Sequence, residues 1–589
     1  MVIKIIFKHE VKPSDKITPQ QLVDLILKHR QIKDINEFLN PQSPLKISIL
    51  DFGFKKEWGK TLKLLKEIKK KNQMIIVYTD YDADGITGGA ILWETLYLLG
   101  FKTMPYVPNR KTEGYGFSII GIDKVIKKFN PALIISVDHG ITKVKEIEYA
   151  KKKGIKIIIT DHHLKSDKTP KAEAIFHIPE LSGSGVAYFF AKEIFTRLQK
   201  QSIGRTAAVK EERSDGKTTA VKLKENFETD YLALASIGTI ADLVPLIGPS
   251  RSIAKLGLDA FSKVKRYGIR HILKEAGIEN KKITPYEVGF IIAPRINAVG
   301  RLKDATDALR LLCTTNESRA KELAQYVGDK NRERQDLVKK SVEEAEINLK
   351  SQISNVKSIP KIIILVSQKW HEGIIGLIAS KITEEFYRPT IVLTKTNGVY
   401  KGSARSIPPF HITNFLRSLK KYLIDVGGHA QAAGFTIEEK KLNDFVTAAQ
   451  ELSSKLIKDK ELERKIEVDI KVPVSKVNLD LVKALEKLEP FGIANPRPTF
   501  LSEDVITNAQ LFGKTNNHLK IWLTNVIPAP CLPAGRKAEI QSFELIAFNQ
   551  GEKFKQLSRG EKINVVYSLE VDRWNERERL RGMIKFLSS

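Results

Sequence analysis

Three apolar, β-rich runs at residues 74–79, 132–137 and 154–160 each lead directly into an aspartate: Asp80, Asp138 and Asp161. Stretches of helical periodicity separate the runs, and strands alternating with helices form a parallel α/β layer. The C-terminal strand ends of such a sheet open on one edge, where ligands gather. The first run continues as Asp80-Tyr81-Asp82-Ala83-Asp84-Gly85. In an extended chain, residues i, i+2 and i+4 share a side, so Asp80, Asp82 and Asp84 are expected to converge and repel one another. A solvated turn relieves that repulsion through side-chain bonds to nearby amides. A divalent cation, or a phosphate held through one, relieves it equally well. A calcium loop of the EF-hand kind is excluded, because its twelfth position is Ile91 rather than Glu and the preceding segment reads as a strand.

With 589 residues the chain has room for three or four domains, each with its own core. Lys and Arg number 97 against 69 Asp and Glu, a net charge of +28, which favours a polyanionic partner and nucleic acid first. Neither a signal-peptide pattern nor an apolar run of membrane-spanning length is present, so a soluble, cytoplasmic protein without membrane partners is expected. The two cysteines, Cys313 and Cys531, are far apart and lack CxxC spacing, which argues against disulfides and thiolate zinc.

The fold class expected is α/β: two α/β lobes joined by a long helix, followed by a C-terminal all-β barrel. Residues 1–70 read as an N-terminal segment, 71–315 as the first lobe, 316–356 as the connecting helix, 357–462 as the second lobe and 463–589 as the barrel. The barrel follows from short alternating runs such as KIEVDIKV, HLKIWLT and INVVYSLEV. Two stretches read as insertions. Residues 199–226 are polar and near-repetitive, with TAAVK echoed by TTAVK, and residues 527–540 have the composition of a loop.

The second strand end reads SVDHGIT and the third ITDHHLK, which adds His139, His162 and His163 to the acids; Asp242 follows the apolar stretch YLALASIGTIA. Oxygen-rich donors with a few imidazoles suit manganese or magnesium better than structural zinc. Two such ions about 3.5–4 Å apart can activate water and clamp a phosphodiester. Metal binding thus accounts for the clustered aspartates. In the second lobe, Lys401, Ser403 and Arg405 supply cations and a hydroxyl beside Gly402, and Gly427-Gly428-His429 permits close backbone approach to an anion. A zincin reading of His371-Glu372 fails, because position 375 is Ile375. Arg295, Asn297 and Arg301 in APRINAVGRL either orient a phosphate or serve as interdomain hydrogen-bond partners.

In order along the chain, DYDADG, SVDHG, Asp161-His162-His163, SIGTIADLVPL, APRINAVGRL and VGGHAQAAG resemble the motifs of a DHH-superfamily phosphoesterase. Within that superfamily the chain is most similar to the RecJ family of single-strand-specific exonucleases, from about Asn72 onward. The resemblance implies metal binding by Asp82 and Asp84, with Asp80 beside them, and by Asp138, His162 and Asp242. Asp161 and His163 then support the ligands or orient substrate. It further implies a DHH-associated second lobe that grips phosphate, and an OB-fold barrel in which Phe512, Trp522 and Trp574 are candidate stacking residues. The activity implied is 5′ to 3′ degradation of single-stranded DNA to mononucleotides in recombination and repair, by a monomer that meets a helicase or single-strand-binding protein. Phosphatase or nanoRNase activity on pyrophosphate or short oligonucleotides, and a non-catalytic strand-binding scaffold, are the competing readings. His139 departs from the family pattern and either adds a ligand or packs; Tyr78-Thr79 stands where many relatives carry His or Gly.

Overall fold

The runs that end in aspartate are neighbours in one five-stranded parallel sheet. Its order is Thr103–Tyr106, Ile75–Thr79, Leu133–Val137, Lys156–Asp161 and Ala174–His177. Thr79 pairs with Val137 and Val137 with Thr160, so the strand ends lie level. Every residue of Ile75–Thr79 and Leu133–Val137 is buried, as a sheet covered on both faces requires. The helix Ala83–Leu98, buried along most of its length, packs against the helices Gly183–Ser202 and Asp230–Ala241.

The computed structural model describes residues 3–12, 14–110, 112–202, 219–354, 359–524, 542–574 and 577–588. They fall into two units. One comprises Pro44–Asp242 and Leu256–Arg464, which hold both α/β lobes; the other comprises Ile3–Ser43, Leu243–Lys255 and Lys465–Ser589. The helix Glu317–Ser354, 38 residues and about 57 Å long at 1.5 Å per residue, joins the lobes. It packs on Tyr267–Glu275, Ala293–Leu302 and Thr306–Cys313 of the first lobe and on Ile375–Phe386 of the second. The second-lobe sheet runs Leu423–Gly428, Ala432–Glu438, Val399–Arg405, Thr390–Thr396 and Ile363–Val366, antiparallel except for the last pair.

The second unit is built on a closed five-stranded barrel of Phe500–Phe512, His518–Thr524, Phe543–Ala547, Arg577–Ser588 and Lys562–Trp574, the last pairing back with the first. Residues 1–70, read from sequence as one segment, divide between the units. The helix Pro19–His29 sets Leu22, Val23, Ile26 and Leu27 into the barrel's apolar core beside Leu481 and Leu485, whereas residues from Pro44 belong with the first lobe. The insertion expected at 199–226 is helical where it is described, at the end of Gly183–Ser202 and the start of Thr219–Glu228. The one expected at 527–540 lies outside the described residues. Among the described residues no helix is long and apolar enough to cross a membrane.

Arg251 ties the second unit together. Its buried guanidinium donates to the carbonyls of Phe38, Leu488, Glu489 and Pro490, and stacks 3.8 Å from the Phe38 ring centre. Replacing it by Met leaves those acceptors without their donor, at about 1–3 kcal/mol for each that water cannot reach. Arg251→Met is therefore expected to lower the stability of this unit by at least about 3 kcal/mol in urea unfolding. Manganese binding by the first lobe should be retained.

Candidate metal centre and phosphate site

The three aspartates of the first motif do not alternate on one extended chain, because the helix starts at Ala83. Asp80 ends the strand, Asp82 caps the helix and Asp84 stands in its first turn. Asp82 Oδ1 accepts from the amides of Asp84 and Gly85, both at 3.0 Å. The Asp84 carboxylate reaches a second helix start and accepts from the amides of Gly183 at 2.6 Å and Ser184 at 2.8 Å. These amides hold it at the positive end of a helix dipole. A side chain at Gly183 would collide with the Asp138 carboxyl group, and one at Gly238 with Asp84 and Ser184, so both glycines preserve close packing around the acids.

Asp138 leaves its strand with φ 68°, in the left-handed region that Asp tolerates better than most side chains. Its Oδ1 stands 3.1 Å from His162 Nε2, which is 3.4 Å from Asp242 Oδ2 and 3.8 Å from Asp84 Oδ2. Three sets of donor atoms lie close enough to hold a metal: Asp80 with Asp82 and Asp138, Asp84 with His162 and Asp242, and Asp138 with His162 and His163, the atoms of each within 4.8 Å of one another. Asp80 Oδ1, Asp138 Oδ1 and His162 Nε2 are buried without a hydrogen-bond partner. Orphaned anionic oxygens beside an imidazole nitrogen fit a hard divalent cation.

The electrostatics set the candidate ligands apart from Asp161. Burial, then the neighbouring acids, holds Asp80 and Asp138 far above the usual carboxylate range and pushes Asp242 up to about 8. Burial lowers His162, which keeps its imidazole neutral and able to ligate. Asp161 behaves in the opposite way. Burial alone would raise it, but the hydrogen bond and charge of His163, together with amide bonds, outweigh that and hold it well below its usual range. It accepts from the amides of Ile141, His162 and His163 and from His163 Nδ1. It is thus an ionised support. His139, left between ligand and packing by the sequence, packs: its ring lies edge-on to Phe117 at 4.6 Å, Nε2 meets the Tyr78 carbonyl at 3.0 Å, and burial drives it down to about 3. Tyr78 and Thr79, the other departure, are buried in the strand.

On the strand Val399–Arg405 the odd-numbered positions share the less buried face, which places Lys401, Ser403 and Arg405 side by side. Arg405 donates to Ser403 Oγ at 3.2 Å. A Cβ at Gly376, near the start of the helix Ile375–Phe386, would stand 3.0 Å from both Arg405 Nη2 and Ser403 Oγ, so these groups lie against a helix N-terminus. Burial, then the charges of Arg110, Arg334 and Arg405, pulls Arg301 down to about 10, and burial, then Arg110, also lowers Arg405. The sequence reading missed Arg110 and Arg334. Arg110 follows the strand Thr103–Tyr106 on the same sheet edge, stacks over Tyr81 at 5.3 Å and acts electrostatically on Asp80.

Other sequence candidates have different neighbours. Arg295 pairs with Glu275 at 2.7 Å and donates to the Ile291 carbonyl. Asn297 accepts from the Ala83 amide at 2.7 Å and so braces the first motif, while Arg301 donates to the Gly373 carbonyl. Lys401 donates to Thr436 Oγ1. Gly427, Gly428 and His429 are exposed where two antiparallel strands meet, and the charge of His163 reaches His429. In the barrel, Phe512 lies 5.1 Å from the His518 ring with Lys520 over it at 5.3 Å. Trp522 lines a cavity of about 360 Å³ with Lys520, Arg579 and Arg581. The Trp574 side chain lies outside the described residues.

An acid cluster with a neutral imidazole at a parallel-sheet edge, linked through Arg110 to Arg301 of the same lobe and Arg405 of the second, defines a phosphoesterase-type site. Residues 74–214 match the DHH family N-terminal domain, 359–455 the DHHA1 domain and 468–585 the RecJ OB domain. The single-stranded-DNA-specific exonuclease RecJ of Salmonella typhimurium is 31% identical over 479 residues, 79% of this chain and 80% of that protein. RecJ of Bacillus subtilis is 32% identical over 88% of this chain, which spans 62% of that longer relative. The crystal structure of RecJ from Thermus thermophilus in complex with Mn2+ matches with a TM-score of 0.76 at 25% identity, over 100% of this chain and 80% of that one. The chain belongs to the RecJ family of single-stranded-DNA-specific exonucleases.

The raised acids give metal binding a defined pH dependence. Asp242 is shifted upward from 3.8, so metal-free protein draws stability from it below its unfolded value and loses that stability as pH rises through about 8. A cation must displace the bound proton. Manganese affinity is expected to rise with pH by up to about tenfold per unit for each proton released, and to level off above about 8. Titration calorimetry in two buffers of different ionisation enthalpy measures that release. Binding with no proton release at pH 7 would contradict the assignment.

Proposed function

We propose that this chain is a metal-dependent exonuclease that hydrolyses single-stranded DNA from the 5′ end to mononucleotides, in recombination and repair. The carrying observation is the set of buried, unpartnered Asp80, Asp138 and His162 atoms on an edge whose Arg110 senses both Asp80 and Arg405. Asp80, Asp82, Asp84, Asp138, His162 and Asp242 would hold manganese or magnesium, with two ions the favoured count for three donor sets. Such ions supply water activation and neutralise charge on the phosphodiester.

The remaining work falls to the chain itself. Asp161 fixes the orientation of His163 through Nδ1. Arg110, Arg301 and Arg405, with Ser403, grip the strand's terminal phosphate, because planar guanidinium forks match phosphate geometry. Capture of the end sets the next linkage against the acids, which accounts for polarity and for release of single nucleotides. The barrel's cationic and aromatic groups supply contacts for a long single strand. A barrel of this kind favours long strands over pyrophosphate or dinucleotides as substrate, and intact carboxylates favour catalysis over a binding scaffold. A helicase or single-strand-binding protein is the expected partner of a monomeric enzyme acting on exposed strands.

With manganese, a long 5′-phosphorylated single strand should be degraded faster than the matching duplex, a dinucleotide or pyrophosphate; preference for pyrophosphate would overturn the reading. Asp138→Ala should abolish hydrolysis while keeping the fold and most strand binding, and near-normal turnover would remove Asp138 from the metal set. Arg405→Lys keeps the charge but loses the fork, so kcat and kcat/KM should fall together, by about 10²-fold if the phosphate shifts by an ångström. A rise in KM alone would assign Arg405 to strand capture.

A further inference from the structure

Two large aromatic side chains standing together in water call for a physical reason. Tyr286 and Phe290 are 61% and 70% exposed, and their rings stack with centres 5.1 Å apart and planes 27° from parallel. Phe290 lies within the π-helical turn Glu287–Ile292, which Tyr286 immediately precedes. Pro294 has no amide to offer the Phe290 carbonyl four residues back, which favours this wider turn, and such turns recur at functional sites. The turn is firmly held. Glu287 accepts from the Thr284 amide at 3.0 Å and from its hydroxyl, Val288 and Ile292 are buried, and Arg295, paired with Glu275, donates to the Ile291 carbonyl at 2.9 Å. A ring pair at i and i+4 supports its own helix. That role does not account for Gly289 between the two rings: a Cβ there would meet nothing, so packing does not call for glycine, and the bare backbone leaves room for a flat group to approach.

The position of the pair relates it to the site. The turn packs on the helix Asp230–Ala241, whose C-cap is Asp242, and runs on into the helix Ala293–Leu302. Phe290 precedes Asn297 by seven residues, about 10 Å along a helix axis. Asn297 accepts from the Ala83 amide, between Asp82 and Asp84. One helical run thus carries the ring pair, the brace of the first acidic motif and Arg301. The net charge of +28 and these arginines favour a polyanion over an apolar protein surface as the occupant, and a single strand is the polyanion that also offers flat, unpaired rings.

We propose that Phe290, backed by Tyr286, is a stacking platform for one of the bases that follow the gripped end of the strand; this rests on the function proposed above. The base continues the two-ring stack on the outer face of Phe290. Every base has a π-face, so the contact holds the strand without reading its sequence. A paired base would first have to leave its own stack, so the platform also favours single strands over duplex.

The test uses 5′-phosphorylated single strands that lack the base at each of the first four nucleotides in turn, with Kd measured in EDTA so that no strand is cut. For wild type, removal of one particular base should raise Kd by about 5- to 150-fold. Phe290→Ala should raise Kd on the intact strand by a similar factor and be nearly indifferent to the loss of that base, and Phe290→Trp, which restores a π-face, should recover both the affinity and the sensitivity. Phe290→Leu keeps apolar bulk without a π-face and should behave as Phe290→Ala does, which guards against an alanine variant that fails to fold; the manganese-induced rise in Tm should be that of wild type in each. Equal sensitivity to base removal in wild type and Phe290→Leu at all four positions would overturn the proposal, as would an unchanged Kd on the intact strand. An unchanged Kd together with an altered mass in light scattering would assign the rings to a protein contact instead. A wild-type protein that binds no single strand, with or without its bases, would overturn the proposed function itself and the platform with it.

Discussion

Mutual repulsion among buried carboxylates is the constraint around which the first lobe is arranged. Asp80, Asp84 and Asp138 are buried, Asp82 is partly buried and Asp242 joins them from a more exposed position, from segments up to about 160 residues apart. Each acid that bonds to backbone amides is satisfied by a helix start or a turn, as Asp84 is by Gly183 and Ser184 and Asp161 by Ile141. The oxygens left over face one another, and a cation is the simplest partner for them. The level strand ends, the left-handed Asp138 and the glycines at 183 and 238 all serve to keep those oxygens within a few ångströms.

Arginines of both lobes and of the connecting helix carry the opposite sign. Burial, then the charges of Arg110, Arg334 and Arg405, lowers the affinity of Arg301 for its proton, and burial, then Arg110, lowers that of Arg405. An anion is the natural electrostatic partner of such a group of like cations. Arg110 joins the two fields, since it perturbs both Asp80 and Arg405. On the function proposed above, a phosphodiester would be the partner that relieves both fields. The long helix between the lobes is tied to Glu275 of the first lobe through Arg332, and Glu275 also pairs with Arg295.

Much of this was legible from sequence because it lies in local pattern. Strand followed by Asp, the Asp161-His162-His163 triplet and alternation along Lys401, Ser403 and Arg405 each need only a few consecutive residues. What was not legible depends on pairing across long stretches. Nothing near Arg110 indicates that Arg301 and Arg405 will stand beside it, and nothing near Asn297 that it will brace Ala83 from 214 residues away. The alternation read into Asp80, Asp82 and Asp84 failed for a local reason: Asp82 is a strong helix cap and turns the chain before the period-two pattern is complete. His139 was undecided because a lone histidine carries no sign of the aromatic cage that makes it neutral.

The split of the N-terminal residues has a consequence for how the chain is made. Leu22, Val23, Ile26 and Leu27 find their apolar partners among residues 470–587, so the helix that carries them is complete early in synthesis but has nothing to cover it until nearly the whole chain has emerged. The parallel sheet of the first lobe, by contrast, draws its strands from residues 75–177 and can assemble long before. The core of the first lobe can thus be nearly finished while this helix still lacks its partners. Contacts of such long sequence separation close slowly, and during that interval the exposed stripe of leucine, valine and isoleucine is a natural target for holding chaperones.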